Sequence, residues 1–99
     1  MRIEVKDLVR KGKLARSSND VPTMRQWQEA LERIKPPLSD EEAVAMTGLF
    51  PSEDYDFFGL VWAMVHLVET APHWPLHQCL QDVSNPWIVR LRQRANRGS

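Results

Sequence analysis

The chain has 99 residues with equal numbers of acidic and basic side chains, 13 of each, and an ordinary share of hydrophobic and charged residues. This points to one soluble globular domain and away from collagen-like, coiled-coil or disordered classes. The neutral balance lacks the global basic signature of many nucleic-acid binders, and the single cysteine, Cys79, excludes an internal disulfide.

Proline and glycine divide the sequence into helical pieces. A first helix is expected over residues 3–16, with Ile3, Val5, Leu8 and Val9 as its apolar positions; a strand over residues 2–5 is the competing reading. Residues 1–20 are expected to form a mobile N-terminal segment, with Ser17–Asp20 as a loop. The second helix starts at a capping box, Thr23 with Gln26, and buries Met24, Trp27, Leu31 and Ile34 before Pro36-Pro37 stops it. Ser39 with Glu42 makes another capping box, for a short third helix with Ala43, Met46 and Phe50 on one side.

The fourth helix is expected to run from a Ser52 cap to about Thr70, with Glu53, Asp54 and Asp56 in its positive first turn. Between Phe57 and Val68 the only polar side chain is His66, the pattern of a central helix buried all round. On that basis, Trp62→Ala is expected to cost roughly 3–5 kcal/mol. Gly59, Ala63, His66 and Thr70 share one narrow face; it is either a close-approach face or the one wet edge. Pro75 opens a short piece over Leu76–Leu80, with Trp74 as a staple. Asn85 followed by Pro86 starts a last helix to about Ala95, with Trp87, Ile88, Leu91 and Ala95 inward and Arg90, Arg94 and Arg97 on another face. The expected fold is all-α, a compact single-domain bundle of five or six short helices around a central helix at about 53–70.

Charge is unevenly distributed along the chain. Residues 1–16 carry six basic and two acidic groups, a net of +4, and residues 73–99 stand at +3. Residues 36–72 carry seven acids and no lysine or arginine. Helix capping accounts for each acid singly, but not for the absence of any cation over that stretch. Asp40, Glu41, Glu42, Glu53, Asp54 and Asp56 are therefore expected to share one end of the bundle as an acidic patch. With Tyr55, Phe57 or Phe50 nearby as an aromatic anchor, the patch suits docking on a basic protein surface, such as that of a nuclease.

Other chemistries are weaker. His66, Glu69, His73 and His77 have the residue types of a zinc set, but Pro72 and Pro75 break the register between them. Cys79 lies near His77 and Asp82, yet at an apolar position that suits a buried, inert thiol. No phosphate-cradling glycine loop is present, and neither an enzyme nor a cofactor is indicated. The lysines and arginines near the two ends (Arg2, Lys6, Arg10, Lys11, Lys13, Arg90, Arg92, Arg94 and Arg97) could track phosphates, although a helix-turn-helix over 39–70 would bring acids into the groove. No signal peptide or membrane span is apparent, which makes a reducing cytoplasm the expected setting.

The stretch from Tyr55 to Pro75, with Gly59-Leu60, Trp62, His66 and Glu69-Thr-Ala-Pro-His-Trp-Pro75, is followed by Asn85-Pro-Trp-Ile-Val-Arg-Leu91 and the arginines to Arg94. It resembles small bacterial proteins with a core of the form Tyr-Gly-Leu-x-Trp-x-Leu-x-His-x-(Ile/Val)-Glu-Thr-Ala-Pro-x-Trp-Pro, which are similar to immunity proteins of polymorphic or contact-dependent toxin systems. The resemblance covers about residues 50–94, with Phe58 where a tyrosine is expected. It implies a stoichiometric toxin inhibitor whose partner is a cognate protein toxin. A nucleic-acid-binding or regulatory module using the basic ends is the alternative, and a metal-dependent enzyme at His66, Glu69, His73 and His77 a second one.

Overall fold

Local stop and cap signals set most of the element boundaries. The computed structural model describes residues 1–14, 20–57 and 59–98, with the side chains of 97 and 98 left aside. Five α-helices follow in order: α1 (Ile3–Lys11), α2 (Val21–Glu32), α3 (Asp40–Thr47), α4 (Leu60–Val68) and α5 (Pro86–Gly98). A 3-10 turn at His77–Cys79 stands where a short piece over Leu76–Leu80 was expected. There is no strand among the described residues, and the chain is an all-α single small domain.

Helix α1 ends earlier than its hydrophobic pattern suggests. Gly12 adopts φ 81° and donates its N–H to Val9 O, a left-handed exit open to glycine at no steric cost. The helix therefore stops at Lys11 and does not reach residue 16, and residues 3–5 are helical, not a strand. Val5 and Leu8 are fully buried, and Leu14 N–H reaches Leu49 O. Of the expected Ser17–Asp20 loop, residues 17–19 lie outside the described residues.

Helix α2 starts before the expected Thr23 box. Pro22 occupies its first turn and Asp20 its N-cap position, with no side-chain cap. Proline has no N–H to satisfy there and its φ is already helical, so Thr23 lies inside the helix. Of the expected stripe, Trp27, Leu31 and Ile34 are buried, while Met24 is half-buried. The Ser39–Glu42 capping box of α3 forms in full: Glu42 N–H donates to Ser39 Oγ at 3.1 Å, and Ser39 N–H to Glu42 Oε1 at 2.9 Å. Asn85 caps α5 from its side chain alone, its Oδ1 accepting from Trp87 N–H at 2.8 Å and Ile88 N–H at 3.4 Å.

The main departure is at the start of α4. The helix begins at Leu60 behind Gly59, which has φ 89°, and residues 51–57 are irregular. Ser52 caps nothing, and Glu53, Asp54 and Asp56 lie on a loop, not in a first turn. The cause is tertiary. Asn85 Nδ2 donates to Pro51 O at 3.0 Å, and Trp87 Nε1 to Glu53 O at 3.1 Å. Two carbonyls that a helix starting at Ser52 would use or expose are held instead by side chains 34 residues away.

Helix α4 is central but not covered on every side. Leu60, Val61, Met64, Val65 and Val68 are buried, Trp62, Ala63 and Leu67 are half-buried, and His66 is exposed. Each fully buried aliphatic side chain contributes about 1.5–3 kcal/mol relative to exposure, so this helix anchors the core. Helices α2 and α3 pack on it, and Trp87, Ile88 and Leu91 of α5 complete the same apolar cluster. The start of α3 meets the end of α4: Leu38 N–H, just before α3, donates to Thr70 Oγ1, just past α4. No helix among the described residues is long and apolar enough to cross a membrane.

Candidate functional site

The expected acidic patch divides into two groups. Asp40, Glu41 and Glu42 open α3, next to the C-terminal end of α4, where Asp40 meets His73. Residues 53–56 lie at the opposite end, where Asp56 O accepts from Val61 N–H in the first turn of α4. Nine helical residues separate the two ends, about 13 Å at 1.5 Å per residue. The single-patch expectation rested on α4 starting at Ser52, and it fails with that boundary.

At the α3 end the acids are largely engaged. Glu42 is 3% exposed, so it does not belong to a docking surface. Its Oε2 accepts from Arg2 Nε at 2.8 Å and Arg2 N–H at 3.1 Å, and its Oε1 from Arg2 Nη2 at 3.1 Å and from the Ser39 cap. Burial alone would raise this carboxyl; the arginine and the two backbone N–H donors outweigh it and hold its pKa at about 2. Arg2 also donates to Lys35 O and Pro37 O, which ties the start of α1 to the α2–α3 connection. Asp40 Oδ2 stands 2.6 Å from His73 Nδ1, and its Oδ1 accepts from His73 N–H. Glu41 alone of the three is exposed without a described partner.

The 51–57 loop has a different character: it is irregular yet firmly held. Asn85 and Trp87 fix the carbonyls of Pro51 and Glu53. Asp54 pairs with Arg90 at 2.5 Å, and the Arg90 guanidinium stacks 4.5 Å from the Trp87 ring centre. Phe57 is fully buried with φ 51°, a left-handed conformation rare for an aromatic residue. Tyr55, 38% exposed, packs edge-on against Phe57 with ring centres 5.0 Å apart. The loop thus presents a tyrosine between Asp54 and Asp56 on a buried footing. Asn85, Trp87 and Arg90, which position it, were legible only as helix-start, core and basic-face residues.

The zinc set is not assembled. Glu69 is bound by both Nε and Nη2 of Arg94 at 2.7 Å, His73 faces Asp40, and His66 is exposed on α4. Among the described residues no group of three or more His, Cys, Asp or Glu side chains is placed to hold a metal ion. Cys79 is 2% exposed; burial pushes its thiol up, against a hydrogen bond from Thr47, and the Asp40 charge adds to the rise. That setting is unreactive.

Arg90, Arg92 and Arg94 of α5 are used within the fold. Arg94, bonded to Glu69, lies over Trp62, and Arg92 Nη1 donates to Leu80 O. Trp62 and Trp87 meet edge to face at 5.1 Å, so two arginines and two tryptophans form one ladder clamping α5 to α4. The Glu69 hydrogen bonds raise Arg94 further above its ordinary value. The expected positions of the Arg97 side chain and of Phe58 fall outside the described residues. Comparison with protein-family models, curated proteins and solved structures finds no match for this chain.

Proposed function

We propose that this chain is an immunity-type binding protein that neutralises a cognate bacterial toxin in the cytoplasm, by stoichiometric occlusion and without turnover. The observation that carries the reading is the pinned acidic loop, with Tyr55 38% exposed over buried Phe57 and flanked by Asp54 and Asp56. An aromatic anchor held in place before binding loses little conformational entropy on docking. Surrounding carboxylates steer a basic partner toward it and fix its orientation. The stretch 36–72 holds seven acids and no lysine or arginine, although Arg2, Arg90 and Arg94 from outside it are paired with Glu42, Asp54 and Glu69. The likeness of residues 50–94 to small immunity-type proteins supports the same partner class, with a basic nuclease domain as the best-matched toxin.

Of the seven sequence-derived contact residues, Glu53, Asp54, Tyr55 and Asp56 remain together; Asp40 and Glu41 lie at the other end of α4, and Glu42 is buried. The test is co-expression with the toxin domain encoded beside this chain. Growth rescue and a one-to-one complex are expected, both lost when Glu53, Asp54 and Asp56 are replaced by lysine in a chain that still folds. Rescue that persists in the triple-lysine variant removes the loop from the interface, and absence of rescue against an active toxin removes the immunity reading.

A further inference from the structure

The face of α4 that carries Gly59, Ala63, His66 and Thr70 turns toward α2. Gly59 and Ala63 leave space there, and α2 stands across from them, so a groove of about 520 Å³ opens between the two helices. That volume falls within the range of small-molecule sites, roughly 300–1,000 Å³, which combine apolar walls with a few polar groups. Met24 and Leu31 supply the α2 wall, and Leu60 and Leu67 the α4 wall.

The polar groups fix the sign of the ligand. Among the described residues Glu32 is the only carboxylate on the lining, and no lysine or arginine lines it. Glu32 Oε1 accepts from Gln28 Nε2 at 3.3 Å, while its Oε2 has no partner among the described residues. His66, exposed, sits on the opposing α4 wall. Thr70, also on the lining, has its hydroxyl committed to Leu67 O and to Leu38 N–H. An apolar trough with a single unmatched carboxylate at its edge suits a ligand with an aliphatic body and a cationic head.

We propose that the α2–α4 groove is a binding site for a small cationic amphiphile, its chain along Ala63 and Leu67 and its ammonium group at Glu32. The groove shares only Phe57 with the acidic loop, at its edge, while the carboxylate it offers, Glu32, lies outside that loop, so either assignment can fail alone.

The test uses the full chain, with decylamine, decanol and decanoate as probes, each below its aggregation concentration and followed by backbone amide NMR. Decylamine is expected to shift the amides of Gly59–Thr70 and of α2 saturably, and to bind about fivefold tighter than decanoate, the worth of one exposed charge pair. Glu32→Gln should remove that preference while leaving decanol binding unchanged, and Ala63→Phe should block all three. Equal binding of decylamine and decanoate overturns the head-group assignment. Shifts confined to other elements, or shifts that depend only on protein concentration and so report a second copy, overturn the site.

Discussion

Replacing Glu42 by glutamine tests the long-range half of the fold and its acid sensitivity in one experiment. Glutamine keeps an acceptor for Ser39 N–H, so the capping box survives, but it removes the charge that Arg2 surrounds. The folded-state pKa is held at about 2 against an ordinary 4.5. At about 1.4 kcal/mol per tenfold change in proton affinity, this corresponds to about 3 kcal/mol. Arg2 is 31% exposed, and solvent screening of that side brings the expected contribution to about 2–3 kcal/mol. The pKa is depressed in the folded state, so this stability is fully present above pH 4.5 and is lost as pH falls through 4.5 toward 2. Urea unfolding followed by the fluorescence of the four tryptophans, repeated between pH 6 and pH 2.5, gives the two stability curves. The wild-type chain should lead E42Q by about 2–3 kcal/mol at pH 6, and the curves should converge toward pH 2.5. Curves that stay parallel across that window would refute the reasoning, because the Arg2–Glu42 contact would then carry no linkage.

Three further outcomes are expected. Trp87→Ala should cost about 3–5 kcal/mol, more than Trp62→Ala, because Trp87 is 2% exposed and also holds Glu53 O, whereas Trp62 is half-buried; thermal melts giving the reverse order would contradict the placement of the core. Gly59→Ala should cost about 1–2 kcal/mol by its φ of 89° alone, since an added Cβ would meet nothing within 4 Å; an unchanged melting temperature would mean the α4 start relaxes freely. Cys79 should react with a thiol reagent only as fast as the chain opens, and rapid labelling of the native protein would contradict its burial.

What could be read from the sequence divides by distance along the chain. The Ser39–Glu42 box and the Asn85–Pro86 start were legible because each signal and its partner lie within one turn. The buried stripe of α2 was legible for the same reason, as a local 3.6-residue period. Ser52 followed by three acids carries an equally good local signal, yet Asn85 and Trp87 capture the carbonyls of Pro51 and Glu53 and the helix waits until Leu60. One displaced boundary then moved the 53–56 acids from a helix turn to a loop and split the expected patch. Arg2 and Glu42, 40 residues apart, offered no local sign of pairing, although Glu42 alone was visible as a cap. The face of Gly59, Ala63, His66 and Thr70 was correctly singled out as open to close approach or to water. That it faces α2 across a groove depends on packing that no periodicity states.

The measurement that bears most directly on the central claim is amide hydrogen exchange of the chain alone and in complex with its cognate toxin domain. The account predicts new protection over residues 53–57, with the α3 start at 40–42 unchanged. Protection concentrated at 40–42, or along the α2–α4 groove, with 53–57 unaltered, would contradict it.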